Sequence, residues 1–308
     1  MTVTCCSRVQ TTSVSLLLLS LLCYRSCLSI ALDEIVKNRT ILCFGDSLTH
    51  GMYRNFSSLS NPYGHHPYML ALQRHFDSDQ EQHVSVVELG VDGESVISMT
   101  ERLPTVLDSF NNIDTGNLRR TSNTILTEVE SPSAWLHLRS AYNRRTAKRG
   151  APQPLPVFVI ILAGTNDISF QESDLIINNI IQLHTITQMY AQRWSVSVYS
   201  IAVSIPELND IGSGASTKGK ARKLYRDNWD EKRMIINRHI RDYAVKHRDY
   251  MSYIDINPFF RNQSSSDPDH TIIDQQYRSS DLLHFSVKGY DLMGDILYDH
   301  MKAYVDTL

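Results

Sequence analysis

An α/β domain built on a mostly parallel five-stranded sheet, with helices on both faces, is what this 308-residue sequence predicts. Apolar strand-length runs alternate with longer segments of helical apolar spacing through most of the chain. The runs at 41–44 and 157–162 are continuously apolar, as strands covered on both faces must be. Several end directly in Gly, Asp, Ser or Asn, so chemistry-bearing side chains follow strands at the carboxyl edge, where such sheets place their ligand crevice.

The first strand, at about 40–44, belongs to the stretch Ile-Leu-Cys-Phe-Gly-Asp-Ser-Leu-Thr-His-Gly at 41–51, and Ser47 stands where the strand must stop. Residues 53–66 read as a polar and aromatic loop walling that serine, 67–76 as a helix, and 83–89 as a second strand ending at Gly90-Val-Asp-Gly93. A helix follows over 95–110, with a stop or kink expected at Pro104, and 111–156 reads as an irregular insertion in which 133–145 has the pattern of a basic amphipathic helix. The third strand, 157–162, runs into Gly164-Thr-Asn166-Asp167. Helix 174–194, strand 196–203, a Gly/Ser-rich loop at 209–220, helix 221–247 and strand 251–256 come next. Residues 257–280 are irregular, and a last helix over 286–305 has Ser286 as its N-cap. No internal repeat of solenoid period occurs.

The N-terminus has a different character. Arg8 precedes the apolar run 14–23, and Ser29-Ile30-Ala31 offers small residues at signal-peptidase spacing. The run is about half of the roughly 20 residues that span a bilayer, and Arg25 interrupts its extension, so the segment reads as a cleaved signal over 1–31 rather than an anchor. Residues 32–308 then form a single catalytic domain in a secreted or luminal protein. Cleavage removes Cys5, Cys6, Cys23 and Cys27, leaving Cys43, a small core residue with no disulfide partner. Asn38, Asn55 and Asn262 head N-glycosylation triplets. Thirty basic and 33 acidic side chains, mixed along the chain, do not suggest nucleic acid as a partner.

A serine hydroxyl needs a general base, a group that orients the base, and oxyanion donors. Asp281-Leu-Leu-His284 offers a base and its orienting carboxylate three residues apart, Gly93 a backbone N–H, and Asn166 a side-chain amide. Each has a plain structural reading when taken singly: a solvated pair, a turn glycine, a loop-capping Asn. Together and in order they form a catalytic set. The Gly-x-Ser-x-Gly elbow of α/β-hydrolases is absent. A metal hydrolase built on Asp46, Asp167, Asp281 and His284 lacks a His-x-x-x-His or comparable ligand pair.

Those blocks, Phe44-Gly-Asp-Ser47-Leu-Thr, Val91-Asp-Gly93, Gly164-Thr-Asn166-Asp167 and Asp281-Leu-Leu-His284, resemble the motifs of the GDSL, or SGNH, hydrolases, and the likeness extends from about Thr40 to Leu308. It implies a flavodoxin-like three-layer α/β/α fold and a triad of Ser47, Asp281 and His284. It also implies an oxyanion hole of Ser47, Gly93 and Asn166, and no metal or organic cofactor. The reaction expected is hydrolysis of a carboxylic ester through an acyl-enzyme, on a small-molecule, lipid or carbohydrate ester. The alternatives are a carbohydrate O-acetylesterase, lipase or thioesterase of the same family, or an inactive binding protein. Glu88 stands where many members have Asn, Phe285 where Pro commonly follows the His, and 111–156 is longer than the usual connection.

Overall fold

The computed structural model describes residues 39–54, 62–78, 84–111, 156–208, 217–261, 274–281 and 283–305. The signal segment, Asn38 of the first glycosylation triplet, the whole of the other two triplets and nearly all of the 111–156 insertion, with its 133–145 helix, lie outside the described residues.

Along the chain come β1 (Arg39–Gly45), α1 (Ser47–His50), β2 (Met52–Arg54), β3 (Tyr63–His65), α2 (Met69–Ser78), β4 (Val84–Gly90) and α3 (Val96–Asn111). After them follow β5 (Pro156–Leu162), α4 (Ser173–Trp194), β6 (Tyr199–Val203), α5 (Thr217–Lys246), β7 (Met251–Ile254) and α6 (Val287–Val305). Two short 3-10 turns, Asn257–Phe260 and Gln275–Tyr277, lie between β7 and α6.

The main sheet has five strands in the order β4-β1-β5-β6-β7, and every pairing in it is parallel. This is the flavodoxin-like doubly wound order, in which the direction of winding reverses between β1 and β5. Alternation along the strands divides the core in two. Leu42, Phe44, Val159 and Ile161 pack with α3, α4 and α5, whereas Ile41, Cys43, Phe158, Ile160 and Leu162 pack with α2 and α6. Burial on both faces explains why β1 and β5 are continuously apolar. Cys43 is a buried free cysteine, and burial pushes its thiol well above the ordinary range, with a Tyr68 hydrogen bond opposing the shift in part. It is a core residue and no nucleophile.

Four local readings change. Residues 52–65, read from 53 on as loop, contain an antiparallel pair, β2 with β3, in which Tyr53 faces Gly64. A Cβ on Gly64 would stand 2.6 Å from the Tyr53 ring. Three-residue strands are too short to show alternation. Ser47 opens a four-residue helix, which the strand-then-loop reading did not contain. Of the stop or kink expected at Pro104, the stop does not occur, since α3 continues through it. Val96, Met99, Leu103, Val106, Leu107 and Phe110 are all buried along it, and at about 1.5–3 kcal/mol per buried large apolar side chain they outweigh the roughly 3 kcal/mol cost of an internal proline. Finally, α5 begins at Thr217, inside the stretch read as loop at 209–220. The glycine at 219, which suggested a loop, costs only about 1 kcal/mol in a helix interior, too little to end a helix of 30 residues.

Candidate active site

Gly45 ends β1 beside Gly90 of β4 and Leu162 of β5. Ser47, Gly93 and Asn166 therefore leave adjacent strands at one edge, next to the point where the winding reverses.

Asp46 caps α1, its Oδ1 accepting from the Leu48 N–H at 2.9 Å, so Ser47 is the first helical residue. A first-turn N–H has no carbonyl one turn earlier to bind and points away from the helix. Ser47 Oγ lies 2.8 Å from His284 Nε2, and His284 Nδ1 donates to Asp281 Oδ2 at 2.9 Å. Asp281 Oδ1 accepts from the backbone N–H groups of His284 at 3.0 Å and Leu283 at 3.2 Å. Burial opposes the charge on Asp281, but the hydrogen bonds from the ring and backbone of His284 more than compensate and hold the carboxyl below its usual range. An ionised carboxylate can only accept, so Nδ1 carries the hydrogen and Nε2 is left to accept from the serine hydroxyl. The structure thus brings together the three residues the sequence singled out.

Gly93 occupies the third position of a turn closed by Glu94 N–H donating to Val91 O at 3.2 Å. Its φ of +73° lies in the left-handed region, while an added Cβ would meet nothing within 4 Å. Backbone conformation, not crowding, demands glycine here. The Asn166 amide donates to Glu94 O at 3.0 Å, tying it to the turn that holds Gly93. One amide N–H is used there, and the other is available to a reacting oxygen. Asp167, next in the chain, accepts from the Val96 N–H at 2.9 Å and so fixes the start of α3.

Residues the sequence reading did not single out hold these loops. Arg102 donates to both oxygens of Glu94 at 2.7 and 2.6 Å and to Leu89 O at 3.1 Å, with its guanidinium 4.1 Å from the Phe44 ring centroid. Arg278 donates to Leu283 O at 2.8 Å and to Glu207 O, and its guanidinium lies 4.5 Å over Phe285. Phe285 stacks on Phe260 and meets Tyr290 edge-on. Asp46 is fully buried, and its Oδ2 lies near the Thr165 hydroxyl without a well-formed hydrogen bond. Burial pushes the Asp46 carboxyl up to about 7, against the opposing pull of the Leu48 N–H and His284. Only the i, i+8 spacing of Glu94 and Arg102 hints at any of this in the sequence, and that spacing is not a helical contact.

Asp46, Asp167, Asp281 and His284 do not gather as a metal-ligand set. Among the described residues, the group of three His, Cys, Asp or Glu side chains with ligand atoms within 4.8 Å of one another is His50, His65 and Asp92. His50 Nδ1 lies 3.0 Å from Asp92 Oδ1 and His65 Nε2 lies 3.1 Å from Asp92 Oδ2.

The described residues form a doubly wound parallel sheet that carries a serine, a histidine and a carboxylate in hydrogen-bond contact at its carboxyl edge. The chain belongs to the GDSL-like lipase/acylhydrolase family, whose model matches residues 43–292. Among solved structures, a GDSL-like lipase from Bacteroides thetaiotaomicron is 13% identical, with a TM-score of 0.49 over 88% of this chain and 90% of that one. A carbohydrate acetylesterase from Sinorhizobium meliloti is 17% identical, with a TM-score of 0.49 over 86% of this chain and 99% of that one. An aryl esterase from M. smegmatis is 16% identical, again with a TM-score of 0.49 and with 86% and 99% covered. No curated protein matches the chain.

Proposed function

We propose that the protein is a serine esterase that hydrolyses carboxylic esters through an acyl-enzyme on Ser47. The observation that carries this reading is the unbroken line from Ser47 Oγ to His284 Nε2 at 2.8 Å and from His284 Nδ1 to Asp281 at 2.9 Å.

In the first half-reaction Ser47 Oγ attacks the ester carbonyl carbon while its proton passes to His284 Nε2. Charge develops on the carbonyl oxygen, and the donors suited to receive it are the N–H groups of Ser47 and Gly93 and the side-chain amide of Asn166. Asp281 keeps the ring in the accepting tautomer and stabilises the imidazolium. His284 then returns the proton to the leaving alkoxide oxygen, the C–O bond breaks, and an alcohol departs. In the second half a water gives a proton to His284 as its oxygen attacks the acyl carbon, and Ser47 leaves with that proton, releasing the carboxylic acid. No step needs a group from outside the chain other than ester and water.

The apolar segment at 14–23 and the three Asn-x-Ser/Thr triplets support a secretory route, with cleavage near Ala31. Among the described residues no helix is long and apolar enough to cross a membrane. The family supports small-molecule, lipid or carbohydrate esters as the substrate range. A panel of aryl and glycosyl esters of graded acyl length, tested on the parent and on Ser47→Ala, tests the assignment. Turnover confined to the parent is expected, and equal turnover by the variant contradicts it.

A further inference from the structure

We propose that His50, His65 and Asp92 form a binding site for a divalent cation of the zinc class at the rim of the candidate active site. These residues come from three separate segments. His50 ends the helix that Ser47 opens, His65 ends β3, and Asp92 precedes Gly93 in the turn after β4.

Their geometry is close to a coordination sphere. The two imidazoles lie with centroids 3.9 Å apart and planes 28° apart, each presenting a ring nitrogen to the same carboxylate. The nitrogen to oxygen separations are 3.0 and 3.1 Å. Ligands held 2.0–2.1 Å from a tetrahedral zinc stand about 3.3–3.4 Å apart, and these two contacts, one to each oxygen of Asp92, are within a few tenths of an ångström of that spacing. The third edge, nitrogen to nitrogen, lies within the same 4.8 Å limit.

Chemistry and access agree with the geometry. Two imidazole nitrogens and one carboxylate oxygen are a donor set that zinc accepts, and three protein ligands leave a fourth position for water. The side chains of His65 and Asp92 are each 40% exposed, so an ion can enter from solvent. The two stacked imidazoles bring one ring nitrogen to each oxygen of the same carboxylate. A bound cation would cross-link the Ser47 helix, the β2–β3 hairpin and the Gly93 turn.

The test is zinc titration by calorimetry on the untagged full chain after chelator treatment, with cobalt absorption as a second readout. It reads metal binding, so its outcome is independent of whether the protein hydrolyses esters. One saturable site per chain is expected, with tetrahedral cobalt bands. His65→Ala and Asp92→Asn should each weaken zinc binding at least about tenfold, since even residues that merely orient metal ligands cost that much when lost. The control His75→Ala removes a different His–Asp contact, the 2.8 Å pair with Asp295, and should retain the parent affinity. Melting curves of the stripped variants establish that each is folded before titration. Absence of a saturable site in the folded parent, or parent-like affinity in both His65→Ala and Asp92→Asn, overturns the proposal.

Discussion

Ser47 Oγ and His284 Nε2 stand in hydrogen-bond contact at 2.8 Å although 237 residues separate them along the chain. The relationship is made by topology. β1 delivers Ser47 to the carboxyl edge, and the turn of Asp281 and His284 just before α6 meets it there. Arg54 N–H donating to Ser279 Oγ at 2.8 Å and Tyr290 OH donating to Met52 O at 2.8 Å fasten the two parts together.

The orienting carboxylate is the first element to test. Asp281→Asn keeps the shape but offers an amide where a carboxylate accepted the Nδ1 hydrogen, so the ring is free to take the tautomer with hydrogen on Nε2. Loss of kcat by roughly 1,000- to 10,000-fold with little change in KM is expected from steady-state kinetics. A loss under about tenfold would show that Asp281 does not set the ring.

Asn166→Ala should lower kcat about 100- to 1,000-fold, because an oxyanion donor acts mainly as charge develops. Its bond to Glu94 O is worth on the order of 1 kcal/mol, so the melting temperature should fall only slightly. Near-normal kcat with a clearly lowered melting temperature would mark Asn166 as a structural brace for the Gly93 turn.

Arg102→Met tests the support of that turn. Arg102 and Glu94 side chains are only 15% and 8% exposed, and removing one member of such a pair leaves an uncompensated charge, at a cost of about 3–5 kcal/mol. Urea unfolding should show a loss of that order, and adding Glu94→Gln should restore part of it. A loss below about 1 kcal/mol would mean that the pair is effectively solvated.

Asp46 supplies a pH signature of stability. Its carboxyl is raised to about 7 in the folded protein by burial, against about 4 in an unfolded chain. Between those values the unfolded chain ionises readily while the folded protein resists, so stability from this residue declines from pH 4 to pH 7 and stays low above. Asp46→Asn cannot ionise and should gain on the parent by about 2 kcal/mol in unfolding free energy between pH 5 and pH 8. A stability difference independent of pH would refute the raised value.

What could be read in advance follows from locality. β1 and β5 were legible because strands covered on both faces must be apolar throughout. Ser47, Gly93 and Asn166 were legible because each follows a strand end within a few residues. Asp281 and His284 sit three apart in one turn, and the Ser286 cap was legible for a similar reason, its Oγ accepting from Gly289 N–H at 3.2 Å. The β2–β3 pair was not, since its strands are three residues each and are held by contacts to the segment before α6. Arg102 and Arg278 act on carbonyls and side chains brought near only by folding, and Pro104 lies in a helix whose buried face outweighs its local preference. The His50, His65 and Asp92 group joins three segments with no spacing rule linking them.

The most direct measurement of the central claim is site-resolved mass spectrometry after treatment with a fluorophosphonate, which reports which serine is activated. One adduct on Ser47 is the predicted result, with labelling abolished in Ser47→Ala and strongly slowed in His284→Ala while both variants remain folded. An adduct on another serine in the parent, or undiminished labelling of Ser47 without His284, would contradict the account.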